Sequence, residues 1–353
     1  MEAPTGAGIG NPGKFGFPIH AGKDELRWDM NPFIRRILPA LALATAFAAP
    51  AYSWSREGHV ALATVAAQNL SADARAHVIK ILGDDNLGAI SVWMDELRTA
   101  AVHAGPLAFD PEAQQFNRDF PNNADWHFVD LPLGTKAYEP DGPFAKPGDI
   151  VHAIAQAVSV LEGGGDSRIT KKIALRMIVH LVGDIHQPLH TISGYYEVAA
   201  DGTAKLVTDP EAAKGLPGDR GGNALYFGPG KFDELHSEWD YTLPMKITNS
   251  VIPADLAKIL QAKIAAEGAG WKSPGDYHRW AEGWATESLE AAQTAYRGIE
   301  FGAVTPDPAG GFKKIAITLP SDYESVCIPL AEQRLAQAAY HLAEILNAIH
   351  WAD

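Results

Sequence analysis

IVHLVGDIHQPLH, residues 178–190, closes a segment from Ser167 to His186 in which apolar residues recur at three- and four-residue spacing. The spacing predicts a helix, and Pro188 disrupts it just beyond. His180 and Asp184 stand four residues apart on one helix face, so their side chains can reach one metal ion. His190 comes off the turn after Pro188, beside the same face. His186 lies two residues from Asp184 and points roughly to the other side, so it reads as structural or as a partner of a ligand.

Further along, LHSEWD repeats the pattern, with His236 and Asp240 again four apart. One such pair is more often a surface salt link. Two such pairs in one chain point to metal. Earlier in the sequence stand His59, Asp95 in SVWMDELR and His127 in ADWHFVD. Taken singly, each has an ordinary explanation as a cap, a satisfied core histidine or packing against a neighbouring helix.

Seven more segments carry helical spacing: Glu57–Asn69, Ala72–Leu82, Ala89–Ala101, Asp149–Glu162, Pro253–Ala266, Tyr277–Arg297 and Leu330–Trp351. Ser71 and Ser167 read as helix caps, and Pro274-Gly275 precedes the Trp-rich segment. Strand signals are few. Lys205–Thr208 and Ala224–Phe227 are the best candidates for a short hairpin around the Gly-rich 215–222 loop, with Lys314–Leu319 a third short candidate. The fold class expected is all-α, a single mainly helical domain with a short hairpin.

Of the 353 residues 46% are apolar and 20% charged, which excludes a disordered chain. With 29 basic and 43 acidic residues the net charge is -14, so the broad basic surface of most nucleic-acid binders is missing. Any phosphate must be handled by local positive charge, and bound metal ions are the obvious source. The lone Cys327 excludes an internal disulfide framework and a Cys-rich zinc site.

The N-terminus fixes the compartment. Arg35 and Arg36 precede an apolar run, Ile37–Ala49, and Ala51-Tyr52-Ser53 supplies small residues at the positions a signal peptidase reads. Residues 30–53 therefore read as a secretory signal peptide, too short for a comfortable membrane span. Residues 1–29 read as a mis-assigned start or an unstructured extension. Cleavage after Ser53 removes five basic and four acidic residues, leaving a domain 54–353 with net charge -15 that begins at Trp54. The expected location is periplasmic or secreted, with no membrane attachment after cleavage.

In order, Trp54-x4-His59, Asp95, His127-x2-Asp130, His180-x3-Asp184-x5-His190 and His236-x3-Asp240, with GDRGGN at 218–223, resemble the zinc-dependent single-strand nucleases of the S-one/P-one and mung-bean type. The resemblance spans nearly all of 54–353 and implies three Zn2+ ions. Asp95, His127, His180 and Asp184 would hold the first ion of a close pair. Trp54, through its α-amino group and carbonyl oxygen, and His59 would hold its partner, with Asp184 bridging. His190, His236 and Asp240 would hold the third. The α-amino group of Trp54 exists only after cleavage, so the precursor should lack a complete cluster.

The same resemblance implies hydrolysis of single-stranded DNA and RNA to 5′-nucleotides, with 3′-nucleotidase activity. Asp130 matches the family's acidic residue near the attacking water and Arg98 its phosphate-side arginine; otherwise they are an ordinary surface pair. Asn223 matches a substrate-binding position close to the cluster, or else simply serves the turn. An aromatic pocket that stacks an unpaired base would explain single-strand preference, with Tyr195, Tyr196 and Tyr226 as candidates. No protein partner is evident, and a monomer is expected. Long-range steering of polyanions should be poor and salt dependence shallow.

With a single cysteine, the chain departs from the disulfide-bonded, glycosylated fungal and plant members and fits a bacterial-type member. Its stretch from Ile192 to Pro217 is longer than the minimal family loop. Zinc phospholipase C is the alternative reading. That family's first histidine lies further from its N-terminal Trp, and its last ligand is Glu where this chain has Asp240. A non-catalytic zinc-binding protein is the other alternative, but the sequence offers no extra ligand run to close the open coordination positions.

Overall fold

Thr170 starts the central helix by accepting a hydrogen bond from the Ile173 amide, so the helix runs Lys171–Ile185 rather than from Ser167. The computed structural model describes residues 54–230 and 232–352. From Met177 to Ile185 every side chain of this helix is buried. Ile150–Leu161, Trp93–Ala100 and Tyr323–Ala348 pack around it. Burial on all sides is what an almost wholly apolar sequence requires, and it draws His180 and Asp184 into the interior.

Other helices follow the sequence closely. Ala72–Leu82 is capped by Ser71, whose side chain accepts from the Ala74 amide, and Gly83 ends it in the left-handed region. Asp149 caps Ile150–Leu161. The Ala89–Ala101 segment is instead two helices, Leu87–Ile90 and Trp93–Ala100, broken at Ser91 and Val92. The Ser91 side chain donates to the Gly88 carbonyl and its own carbonyl turns to His180. The C-terminal helix begins at Tyr323, with Pro329 inside it. Among the described residues no helix is long and apolar enough to cross a membrane.

The predicted hairpin needs correction. Strands form near the expected segments, at β4 (Ala204–Val207) and β5 (Leu225–Tyr226), but they do not pair with each other. β4 pairs antiparallel with β3 (Tyr195–Val198). β5 lies parallel to β7 (Phe312–Thr318), which also pairs with β6 (Glu300–Pro306). Two-residue strands β1 (Leu131–Pro132) and β2 (Ile192–Ser193) run parallel beside the His190 turn. Among the described residues the fold is therefore mainly helical with three small sheets rather than purely α. The proposed extension 1–29 and signal peptide 30–53 lie outside the described residues.

Candidate metal centre

Asp184 stands at the focus of the buried helix. One of its carboxylate oxygens lies 3.1 Å from His59 Nε2, and the other lies 2.8 Å from His127 Nδ1 and 3.2 Å from His180 Nε2. His180 is also 3.6 Å from Asp95 Oδ1 and 3.1 Å from His127 Nδ1. On the other side, His236 Nε2 is 3.2 Å from Asp240 Oδ2, and the His190 and His236 rings are 5.1 Å apart. Asp240 sits in a π-helical turn, Glu238–Thr242. The Trp54 nitrogen joins the two halves by donating to Asp240 Oδ1 at 3.3 Å. The nine residues named as ligands thus converge on one buried region.

Among the described residues four sets have their donor atoms mutually within 4.8 Å, and three of them lie in this region: His59, His180 and Asp184; Asp95, His127 and His180; and His190, His236 and Asp240. Many of these atoms are buried without a hydrogen-bond partner, among them both His59 nitrogens, both Asp95 oxygens and Nε2 of His127, His190 and His236. Each such atom costs about 1–3 kcal/mol if nothing satisfies it. A cluster of unsatisfied lone pairs fits metal ions, and imidazole with carboxylate is a donor set suited to zinc.

The opposite ring nitrogens are fixed by backbone. Nδ1 of His180 lies 2.7 Å from the Ser91 carbonyl, that of His190 2.7 Å from the His127 carbonyl, and that of His236 2.7 Å from the Gly221 carbonyl. A carbonyl can only accept, so each Nδ1 carries a proton, and in the neutral ring each Nε2 presents its lone pair. Gln187 donates to Asp240 Oδ1 at 2.8 Å. Sequence reasoning missed Ser91, Gly221 and Gln187, because two of them act through backbone atoms that any residue possesses.

Without metal, these groups perturb one another. Burial and the neighbouring Asp184 charge raise Asp95 to about 7 against the opposing His180. Burial lowers His127 to about 3 and His190 to about 4, and also lowers His59. Burial lowers His180 too, but Asp184 and Asp95 outweigh it and bring it to about 9; Asp240 does the same for His236, also to about 9. Burial disfavours the Asp184 carboxylate, yet the three histidines hold its pKa well below the usual range.

Gly183 is a second omission. A Cβ there would come within 2.8 Å of His59 Cε1 and 2.9 Å of Nδ1, and the Gly183 carbonyl accepts from Trp54 Nε1 at 2.9 Å. Gly183→Ala is therefore expected to displace His59 and weaken metal binding by about 10–100-fold, the scale of supporting contacts around a metal. A competitive zinc titration reads the loss, and circular dichroism checks that the helix persists.

Arg98 is half-buried, and its charge acts on both Asp95 and His127. Asp130 lines a small surface depression with Phe128, Val129, Phe144 and Lys146 among its walls. The Val129 amide donates to the His190 carbonyl at 2.8 Å, so this wall is tied to the metal region. Asn223 donates from its side chain to the Arg220 carbonyl at 2.8 Å, a contact within the turn. Tyr195 donates to the Asp130 carbonyl, and its ring lies 5.4 Å from Phe144. Tyr196 is no stacking platform: it is 1% exposed and its hydroxyl donates to Asp219. His186 belongs to the fourth set, with Glu287 and His341, none of which is among the nine, and its Nε2 lies 2.7 Å from His341 Nδ1.

Fold and donor groups together define a helical protein built around a candidate polynuclear centre of histidine and aspartate. The model of the S1/P1 nuclease family matches residues 54–350, and the chain belongs to that family. It is similar to Endonuclease 1 of Arabidopsis thaliana, 25% identical over 322 residues covering 85% of this chain and 88% of that protein. It is also similar to nuclease PA3 of a Penicillium species and nuclease P1 of Penicillium citrinum. Each is 27% identical over 319 residues, covering 85% of this chain and 99% of the relative.

Proposed function

We propose that this chain is a zinc-dependent phosphodiesterase that releases 5′-nucleotides from single-stranded DNA and RNA, with 3′-nucleotidase activity. The observation that carries the proposal is the convergence of unsatisfied buried donors beside an aromatic, acid-lined pocket. Family membership and the nuclease relatives support it. Three Zn2+ would be held by Asp95, His127, His180 and Asp184; by Trp54, His59 and Asp184; and by His190, His236 and Asp240. When bound, zinc supplies Lewis acidity and a water acidified to near-neutral pKa.

The protein's own groups do the rest. The three backbone carbonyls hold the imidazoles in one tautomer, so no reorganisation is needed when charge develops. Arg98 places positive charge beside Asp95, where it can meet a substrate phosphate. An unpaired base would dock against this wall, with Phe128 and Phe144 as apolar surfaces and the Asp130 carboxylate as acceptor for a base N–H. A paired base has those edges occupied. Export through residues 30–53, with cleavage after Ser53 freeing the Trp54 amine, is part of the same proposal. It gains support from a family match that begins at Trp54.

Asp130 yields a pH prediction. Burial raises its pKa to about 6 despite the nearby Lys146 charge. Below that pH it is protonated and loses its acceptor role, so KM for nucleotide substrates rises as pH falls through 6. Asp130→Asn flattens that rise in KM–pH profiles while kcat holds within about tenfold. A kcat loss of a thousandfold with KM unchanged would instead place Asp130 at the reacting phosphate. The function itself is tested by loading zinc-free protein and assaying single-stranded DNA, RNA, a 3′-nucleotide and phosphatidylcholine. Lipid cleavage without nucleotide release would identify a phospholipase; zinc uptake without any turnover would identify a binding protein.

A further inference from the structure

The GDRGGN turn runs through three consecutive residues with positive φ: Arg220 at 59°, Gly221 at 62° and Gly222 at 83°. The two glycines suit that backbone. Gly221 also packs so closely on the Leu189 carbonyl that a side chain would not fit. Arg220 has no such excuse, because a left-handed conformation is unfavourable for a long side chain. Its side chain is exposed, and among the described residues no hydrogen bond or ion pair of its guanidinium is found.

Its position is defined by the backbone. The Arg220 amide donates to Ser193 Oγ at 3.1 Å, and Ser193 belongs to β2, which pairs with β1 immediately after Asp130. Arg220 thus stands between the Asp130 pocket and β5, and its charge acts on both Asp130 and Tyr226. Exposed Lys146 lies on the pocket's wall, and exposed Lys314 places Nζ 4.0 Å from the Tyr226 ring centre. Tyr226 forms an isolated antiparallel bridge with Glu234. Arg220 therefore stands on the turn that leads into β5, whose Tyr226 ring lies under Lys314.

We infer that Arg220 and Lys314, with Tyr226 between them, form a subsite for single-stranded polynucleotide beyond the reacting nucleotide. Arg220 and Lys314 contact flanking phosphates, and Tyr226 offers aromatic surface to the neighbouring base. This combination of backbone cations with an aromatic ring is the general solution for holding single strands without reading sequence. The inference rests on the nuclease reading of the adjacent site, but binding tests it independently of turnover.

The test compares binding of a fluorescent twenty-nucleotide phosphorothioate single strand with that of a dinucleotide. The zinc-loaded protein and its Arg220→Gly and Lys314→Met variants are measured over a range of salt. Each variant is expected to weaken the long strand about tenfold more than the dinucleotide. The salt slope should flatten by about 0.7 for each cation removed. Arg220→Gly relieves the backbone, so its Tm should hold or rise while affinity falls, which a structural role for Arg220 would not produce. Unchanged long-to-short affinity ratios in both variants would overturn the subsite. Length-dependent binding by a protein that releases no nucleotides would keep the subsite and reject the nuclease reading.

Discussion

Asp184→Asn lowers kcat/KM for single-stranded DNA by more than about a thousandfold and reduces the zinc content of the purified protein. Asp184 is the residue in contact with His59, His127 and His180 together, at 3.1, 2.8 and 3.2 Å. Asparagine keeps the shape but removes the negative charge that offsets cations in a fully buried site. It also turns an N–H donor toward at least one imidazole. Breaking such a buried arrangement from one side leaves uncompensated charge on the other. The surrounding helix is apolar and capped by Thr170, so circular dichroism should be unchanged. Activity within tenfold of the parent would remove Asp184 from the centre.

Asp219→Ala is the largest expected loss of stability. This carboxylate is fully buried and accepts from Ser193 Oγ at 3.2 Å, the Gly194 amide at 3.1 Å and the Gly222 amide at 3.0 Å. The Tyr196 and Tyr296 hydroxyls donate to it at 2.8 and 2.9 Å. Burial pushes its pKa up against those hydrogen bonds. Alanine strips the two buried tyrosine hydroxyls and the Gly194 and Gly222 amides of this acceptor, a loss of about 3–5 kcal/mol readable as a lower urea midpoint. The damage should spread to metal binding, because Gly221 beside Gly222 supplies the carbonyl that orients His236. Asp219→Asn retains an acceptor oxygen and should lose less on both measures.

The helices were legible because their signals are local. Apolar spacing found the central helix, and Ser71 marked the start of Ala72–Leu82. The candidate centre was legible for a similar reason: two His/Asp pairs at four-residue spacing and one histidine past a proline advertise themselves, and the resemblance supplied the rest. Strand pairing was not legible. Four-residue β4 and two-residue β5 carry little pattern, and the partner of β5 lies nearly ninety residues away in β7. The start of the C-terminal helix was missed because Pro329 reads as a break, yet packing along Tyr323–Ala348 carries the helix through it. Asp219 was visible inside GDRGGN, but four of its five donors come from two distant segments, around Ser193 and at Tyr296.

The central claim is that Trp54 completes a three-zinc centre only as a free N-terminus. Its nitrogen already lies against Asp240, and its side chain is buried with Nε1 on the Gly183 carbonyl. The most direct test counts zinc bound per chain, by mass spectrometry under native conditions, for protein beginning at Trp54 and for protein beginning one residue earlier at Ser53. The account predicts about three zinc ions and nucleotide release for the first. For the second it predicts a lost or weakened ion, with activity lost alongside. Equal zinc content and equal activity in the two would contradict it.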